Sequence, residues 1–361
     1  MASRRIGILT GGGDAPGLNA VIRAVVKAAV GDRGWELVGI EDSFNGLFDD
    51  PRRLRRLDLR SGSGLLHLGG TLLGTTNRGD PFAFPDGKGG QRDRSAELAA
   101  AIREEGLEGL IIIGGDGTQR IGWRMMVEHG IPVIGVPKTI DNDLAATDFT
   151  FGFWSAVDVA TEALDRLHST AEAHDRVMIL EVMGRTAGWI ALYAGVAGGA
   201  DCIAIPEIPY NVDRYVDKIL ERRSRGRQFT IMVVAEGACP QAGQAEPGAV
   251  AHGLGHIVAG GAAAALARAL SLRVDAETRV TVLGHLQRGG SPVPFDRVLA
   301  TRFGVAAVEL AEAGRWGELV CLRDGRMIST PFREVSAEPR LVDLGHPMLH
   351  DARSVGIELG E

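Results

Sequence analysis

The chain has 361 residues, 45% of them hydrophobic and 24% charged, which suits a soluble globular protein long enough for two α/β domains. Its net charge of −7 argues against a nucleic-acid binder, which would need a basic face, but leaves room for local Arg clusters that take small phosphorylated ligands. Cys202, Cys239 and Cys321 lie far apart and make neither a metal-site spacing nor a disulfide framework, no apolar run approaches the ~20 residues of a membrane helix, and the first residues lead straight into a strand, so a cytoplasmic protein with no membrane partner is expected.

Ile6 to Leu9 predicts a short strand, Thr10-Gly11-Gly12-Gly13-Asp14-Ala15-Pro16-Gly17 a turn, and Leu18 to about Val30 a helix. Strand, glycine turn, helix is a way to aim backbone N–H groups at a phosphate; the spacing matches neither a Walker A motif nor a strict GxGxxG, and a mere tight connection is the alternative. Trp35 to Ile40 reads as a second strand. Residues 41–64, with Arg52, Arg53, Arg55, Arg56 and Arg60, read as loop and polar helix with a solvated face. Gly69 to Arg78 is another glycine-rich loop, and residues 79–94 a mobile surface loop.

A helix from Ser95 to about Glu105 and a strand from Gly109 to Ile113 lead to Gly114-Gly115-Asp116-Gly117-Thr118. An Asp at a strand end between glycines suits Mg²⁺, which favours a few carboxylates together with substrate phosphates. Ile131 to Val136 predicts a buried strand that stops at Pro137 and opens into Lys138-Thr139-Ile140-Asp141-Asn142-Asp143. On an extended segment Asp141 and Asp143 point the same way, which calls for a cation, a proton or a donor between them; an Asx-turn bonding backbone amides is the alternative. Ligands of open α/β sheets bind beyond such strand ends.

A long helix from Phe151 to about Ala173 is expected to open a second domain. Arg176, a strand from Val177 to Val182, and Met183-Gly184-Arg185-Thr186-Ala187-Gly188 follow. Strands are predicted at Asp201–Ile205, with Pro206-Glu207 as its exit, and at Phe229–Ala235, ending in Glu236-Gly237; residues 237–255 read as a long loop, followed by a small-residue helix to about Leu270. Arg279 and the strand Val280 to Leu283 precede Gly284-His285-Leu286-Gln287-Arg288-Gly289-Gly290-Ser291-Pro292, where His285 and Arg288 bracket one turn and are expected to form an anion pocket, a structural His being the alternative. After a helix from Phe295 to Ala313, residues 318–361 read as a short strand and an irregular tail without recognisable chemistry. The first half thus offers equipment for a polyphosphate and Mg²⁺, and the second offers Arg176, Arg185, Arg279, His285, Arg288 and Glu236 for a phosphorylated acceptor with hydroxyls. Phosphoryl transfer needs little beyond positioning, a cation and a base.

Thr10–Gly17, Gly114–Thr118, Pro137–Asp143, Glu181–Arg185 and Gly284–Pro292 together resemble the phosphofructokinase family, in order, from about residue 5 to about residue 315. The resemblance implies an α/β fold of two Rossmann-like three-layer domains with the active site in the cleft between them: residues 1–152 with 288–338 for the donor, 153–287 with 339–361 for the sugar phosphate. It implies fructose 6-phosphate as acceptor, Mg²⁺ as cofactor and a homo-oligomer, commonly a tetramer with shared sites. Asp141 would take the proton of the sugar 1-hydroxyl, Asp116 would hold Mg²⁺, and Thr139 would contact the acceptor. Gly13 and Arg78 would contact the donor phosphates, beside Gly117, Thr118 and Lys138. Arg185 would stabilise the group in flight, Met183 and Gly184 would line the sugar site, and Glu236 would bind a sugar hydroxyl. His285 and Arg288 would take the 6-phosphate, with Arg176 and Arg279 reaching in from a neighbouring subunit.

Pyrophosphate-using members typically carry an Asp where Gly117 stands and a Lys where Lys138 stands; ATP users of the best-known bacterial type carry Gly at both. Gly117 leaves room for a nucleotide α-phosphate, whereas Lys138 only adds charge, so ATP is expected, with pyrophosphate as the alternative. Of the basic residues that pattern places around the effector site, Arg23 and Lys27 are matched but His168 replaces an Arg, which implies weak or absent activation by nucleoside diphosphate. Sedoheptulose 7-phosphate is an alternative acceptor, and a sugar-phosphate sensor without catalysis is the rival of another class; the base at Asp141 speaks against it.

Overall fold

A computed structural model describes residues 4–243, 261–335 and 338–361. In chain order these contain β1 (Arg5–Thr10), α1 (Leu18–Val25), β2 (Glu36–Ile40), β3 (Leu54–Leu57), β4 (Phe84–Pro85), β5 (Gln91–Arg92), α2 (Ser95–Glu104), β6 (Gly109–Gly114), α3 (Asp116–His129), β7 (Val133–Pro137) and α4 (Phe153–His174). There follow β8 (Val177–Val182), α5 (Trp189–Ala197), β9 (Cys202–Ala204), α6 (Val212–Ser224), β10 (Thr230–Ala235), α7 (Gly261–Ser271), β11 (Thr278–Val282), α8 (Pro294–Glu312), β12 (Glu318–Arg323), β13 (Arg326–Pro331) and α9 (Pro347–Ser354). The chain divides into two compact units. The first holds residues 1–140, 144–154 and 288–338, and the second 141–143, 155–287 and 339–361.

The first unit is built on a seven-stranded sheet in the order β13-β12-β7-β6-β1-β2-β3. Its central strands are parallel and read as near-continuous apolar runs because both faces are covered. Alternation still decides which face each side chain meets. Ile6, Ile8, Ile111, Ile113, Ile134 and Val136 pack with α1 and α8 on one side. Leu9, Leu110, Ile112 and Val133 pack with α2 and α3 on the other. The result is three layers, helix, sheet, helix. β1 stands between β2 and β6, so the chain switches direction across the sheet at β1 and leaves a crevice beside its carboxyl end.

The second unit carries a four-stranded parallel sheet in the order β11-β8-β10-β9. Every residue of β8 and β10 is buried. β11 forms an edge, and Val280 and Val282 on it are exposed.

Several expectations change. The Arg-rich run after residue 50 holds no helix: Leu54–Leu57 is an antiparallel edge strand on β2, with Arg55 and Arg56 exposed and Leu57 buried. Charge on an edge strand keeps it from pairing further, and that need produces a pattern easily taken for a solvated helix. Residues 79–94 contain the short antiparallel pair β4–β5. The helices α5 and α6 occupy stretches to which sequence alone assigns no element. The tail is not irregular, since β12 and β13 form a hairpin and α9 begins on Pro347 with His346 as its cap, the imidazole Nδ1 accepting from the Met348 N–H at 3.2 Å. Residues 244–255 of the expected long loop lie outside the described residues.

A close helix–helix contact of the first unit is made through Gly304 of α8, where an added Cβ would sit 2.7 Å from Ala24 Cβ and 2.8 Å from the Val21 carbonyl oxygen of α1. Gly304→Val is therefore expected to cost about 1–3 kcal/mol by overpacking, read as a lower urea midpoint with an unchanged m-value. An unchanged midpoint would show that α1 and α8 can separate at no cost.

Candidate active site

In the first unit three neighbouring strands release their loops side by side. Beyond β1, the Gly11 N–H donates to the Ile113 carbonyl at 2.9 Å; beyond β7, the Lys138 N–H donates to the Gly114 carbonyl at 3.0 Å. The loops after β1, β6 and β7 thus begin in register. Thr118, in the first turn of α3, explains two of the glycines. A Cβ on Gly11 would meet its Oγ1 at 2.7 Å, and one on Gly114 at 2.5 Å. The buried Gln119 amide joins the same strand ends, its Nε2 donating to the carbonyls of Gly114 at 2.8 Å and Val136 at 2.9 Å.

Two cations close on the glycine turn. The Lys138 side chain is 3% exposed and its Nζ donates to the Gly13 carbonyl. Arg288 Nη1 donates to the Asp14 carbonyl at 3.0 Å. Arg288 therefore lies at the turn of the first unit. Asp116 is exposed at the start of α3, and no atom lies within 4 Å of a Cβ built on Gly117. Arg78 is exposed, with its N–H bonded to Thr76 Oγ1 at 3.0 Å, and Thr139 is half-buried, its carbonyl accepting from Thr150 Oγ1. Among the described residues no three His, Cys, Asp or Glu side chains gather into a metal cage. A lone exposed carboxylate at Asp116 fits a hard cation that takes its other ligands from phosphates and water.

The second unit places its own set at strand ends. Arg185, after β8, adopts φ 52°, a left-handed conformation that costs an Arg of order 1–3 kcal/mol. Its N–H is held by Glu236 Oε1 at 2.9 Å. Glu236, after β10, is 7% exposed, so one of its oxygens already supports the backbone. Met183 N–H donates to Gln287 Oε1 at 2.8 Å, and Gln287 Nε2 in turn to the Ala156 carbonyl at 3.1 Å, which ties the loops after β8 and β11 to α4. His285 is exposed, and Gly184, at φ 146°, lies buried beside Met183. Arg176 and Arg279 both pair with Glu277 just before β11, Arg176 Nε at 3.0 Å. His168 Nε2 is 2.8 Å from the Gly198 carbonyl oxygen.

The Asp141–Asp143 segment belongs to the second unit, and it is not extended. Asn142 has φ 53°, so the two carboxylates do not alternate as on a strand. Asp141 is 4% exposed, whereas Asp143 is half-buried. Gln119 and Gln287 take part in these arrangements without being singled out by sequence. Each acts on distant backbone, and neither sits in a recognisable spacing.

A family model described as phosphofructokinase matches residues 5–311. The chain is 48% identical to ATP-dependent 6-phosphofructokinase 1 of Synechocystis sp., covering 99% of this chain and 98% of the relative. It is 50% identical to ATP-dependent 6-phosphofructokinase of Chloroflexus aurantiacus, covering 100% and 99%. Among solved structures it resembles phosphofructokinase from Saccharomyces cerevisiae at 31% identity and TM-score 0.79, covering 92% of this chain but only 44% of the longer yeast chain. A likeness in fold alone extends to pyrophosphate-dependent phosphofructokinase of Nitrosospira multiformis, at 20% identity and TM-score 0.80 over 100% of this chain and 93% of that one.

The Gln119 bridge predicts a graded response. Gln119→Leu removes two hydrogen bonds to buried carbonyls and is expected to cost about 1–3 kcal/mol; Gln119→Glu, which turns a carboxylate towards both oxygens, is expected to cost more. Denaturant unfolding of both variants checks this, and equal stability with the parent protein would show that the strand ends hold without the amide.

Proposed function

The chain belongs to the phosphofructokinase family, and from that premise we infer that it transfers the γ-phosphoryl group of ATP to the 1-hydroxyl of fructose 6-phosphate, giving fructose 1,6-bisphosphate in glycolysis. One observation carries this reading: identity of 48% and 50% over essentially the whole of both chains to relatives named ATP-dependent 6-phosphofructokinase.

In the proposed mechanism the 1-hydroxyl oxygen forms a bond to the γ-phosphorus as the bond from that phosphorus to the β,γ-bridging oxygen breaks. The hydroxyl proton goes to Asp141, and ADP leaves. Burial of Asp141 supports this role, because a carboxylate shielded from water is a better base than a solvated one. Backbone N–H groups of the glycine turn at Gly13, together with Arg78 and Arg185, bear the phosphoryl charge, and Thr139 orients the acceptor. Met183, Gly184 and Glu236 line the sugar site, and His285 and Arg288 take its 6-phosphate. Mg²⁺ at Asp116 supplies neutralisation of the donor's negative charge when bound. Lys138 is assigned to fastening the turn, on the strength of its bond to the Gly13 carbonyl, rather than to choosing pyrophosphate. A cytoplasmic homotetramer is proposed in addition. Exposed Arg279 and the open β11 edge are the surface that would meet a neighbouring subunit.

Asp141→Asn is expected to lower kcat by at least ~10² while KM for the sugar phosphate stays within a few-fold. Steady-state kinetics decide it, and a kcat within a factor of a few of the parent would remove Asp141 from the role of base.

Gly117→Asp tests the donor. The space around Gly117 is empty of protein atoms, so the folded state accommodates the side chain. At an effective dielectric of ~20, like charges ~4 Å apart repel by about 4 kcal/mol, and a third of that is about tenfold in binding. The variant should lose more than roughly tenfold in kcat/KM for ATP with its melting temperature preserved. Unchanged ATP kinetics would place the nucleotide away from Gly117.

A further inference from the structure

We propose that Arg340, in the C-terminal segment, is a positioning residue that sets the orientation of Asp141; the inference rests on the reading of Asp141 as base. The turn that carries Asp141 is strained and buried: Asn142 is left-handed at φ 53° and 1% exposed. Asn tolerates the left-handed region but does not require it, so contacts from outside the turn select it. Arg340 supplies the restraint. Its backbone N–H donates to the Asp143 carbonyl at 2.7 Å, and its Nη2 and Nε lie 3.1 and 3.3 Å from the Asn142 carbonyl oxygen.

Arg340 is fixed in turn. Its carbonyl accepts from the Trp189 indole N–H at 2.8 Å, and its guanidinium lies 4.8 Å from the centre of the indole ring. Two residues on, the Val342 N–H donates to Glu207 Oε1 at 2.8 Å, an oxygen that also accepts from the Gly188 N–H at 2.9 Å. Gly188 and Trp189 open α5, immediately after the loop that holds Met183, Gly184 and Arg185. Arg340 therefore ties the turn bearing the base to the loop bearing Arg185, entirely within the second unit. A base displaced by about an ångström loses much of its proton transfer, while donor binding does not depend on it.

The test is a double-mutant cycle in the full-length enzyme with fructose 6-phosphate, ATP and Mg²⁺. Arg340→Ala should lower kcat by roughly tenfold or more with KM for ATP within about twofold, and Arg340→Lys should recover part of the loss. In an Asp141→Asn background, Arg340→Ala should change kcat by less than about twofold, because the residue acts through the carboxylate already removed. Equal losses in both backgrounds would mean a general structural role, and a kcat within twofold of the parent for Arg340→Ala would mean no role; either result overturns the proposal. Asp141→Asn measured alone separates the two readings, since an active Asp141→Asn sinks the base itself. Should Arg340→Ala fail to fold, Trp189→Phe removes the bond to the Arg340 carbonyl and trims the ring beneath its guanidinium while leaving the Arg340 bonds to the turn in place. A smaller fall in kcat that vanishes in the Asp141→Asn background supports the proposal, and one that persists there overturns it.

Discussion

The loops of the first unit depend on hydrogen bonds made one step past the ends of β1, β6 and β7. Parallel strands end without a turn to join them, so nothing local obliges neighbouring loops to start together. Here the Gly11 and Lys138 N–H groups each reach the adjacent strand, and Gln119 bridges the Gly114 and Val136 carbonyls. The glycine turn, Asp116 and Thr139 therefore share one platform. The steric cost falls on Gly11 and Gly114, which have no side chain because Thr118 occupies the space.

Strands buried on both faces were plain in the sequence. The runs that became β6, β8 and β10 need no partner to be recognised, since an apolar stretch of that length with polar residues at its exit has few other uses. The glycine clusters at their ends were legible for the same reason. Elements whose residues answer to something distant were not. β3 carries charge because it is an edge. α6 carries Asn211 as its cap, whose side chain accepts from the Asp213 N–H at 2.9 Å, but its apolar stripe is thin, Val212, Tyr215 and Ile219 among charged residues. The fold of the Asp141 turn was hidden too. Asn is tolerant of the left-handed region, but nothing adjacent to Asn142 demands it; the demand comes from Arg340, far along the chain.

The two non-glycine residues held left-handed near proposed catalytic groups, Asn142 and Arg185, share a physical arrangement. Each sits where a strand has just ended, and each is kept in place by a hydrogen bond to a separate segment, Arg340 for one and Glu236 for the other. Side chains that would otherwise be counted as ligand contacts are thereby also backbone supports. Glu236 cannot be removed without freeing the Arg185 backbone, so the roles proposed for the two residues would be disturbed together.

The order of the chain has a consequence for its synthesis. The second unit's strands lie in sequence between residues 154 and 288 of the first, and each unit takes a closing segment from beyond residue 287. Until α8 emerges, α1 lacks the helix that packs against it, and until β12 pairs with β7 the sheet stops short on that side. The tail that fastens the Asp141 turn comes last of all. Contacts of such long sequence separation form slowly, because the intervening chain must be closed before they reward it. The β7 edge that β12 covers therefore stays unpaired by it until the chain has been made past residue 318.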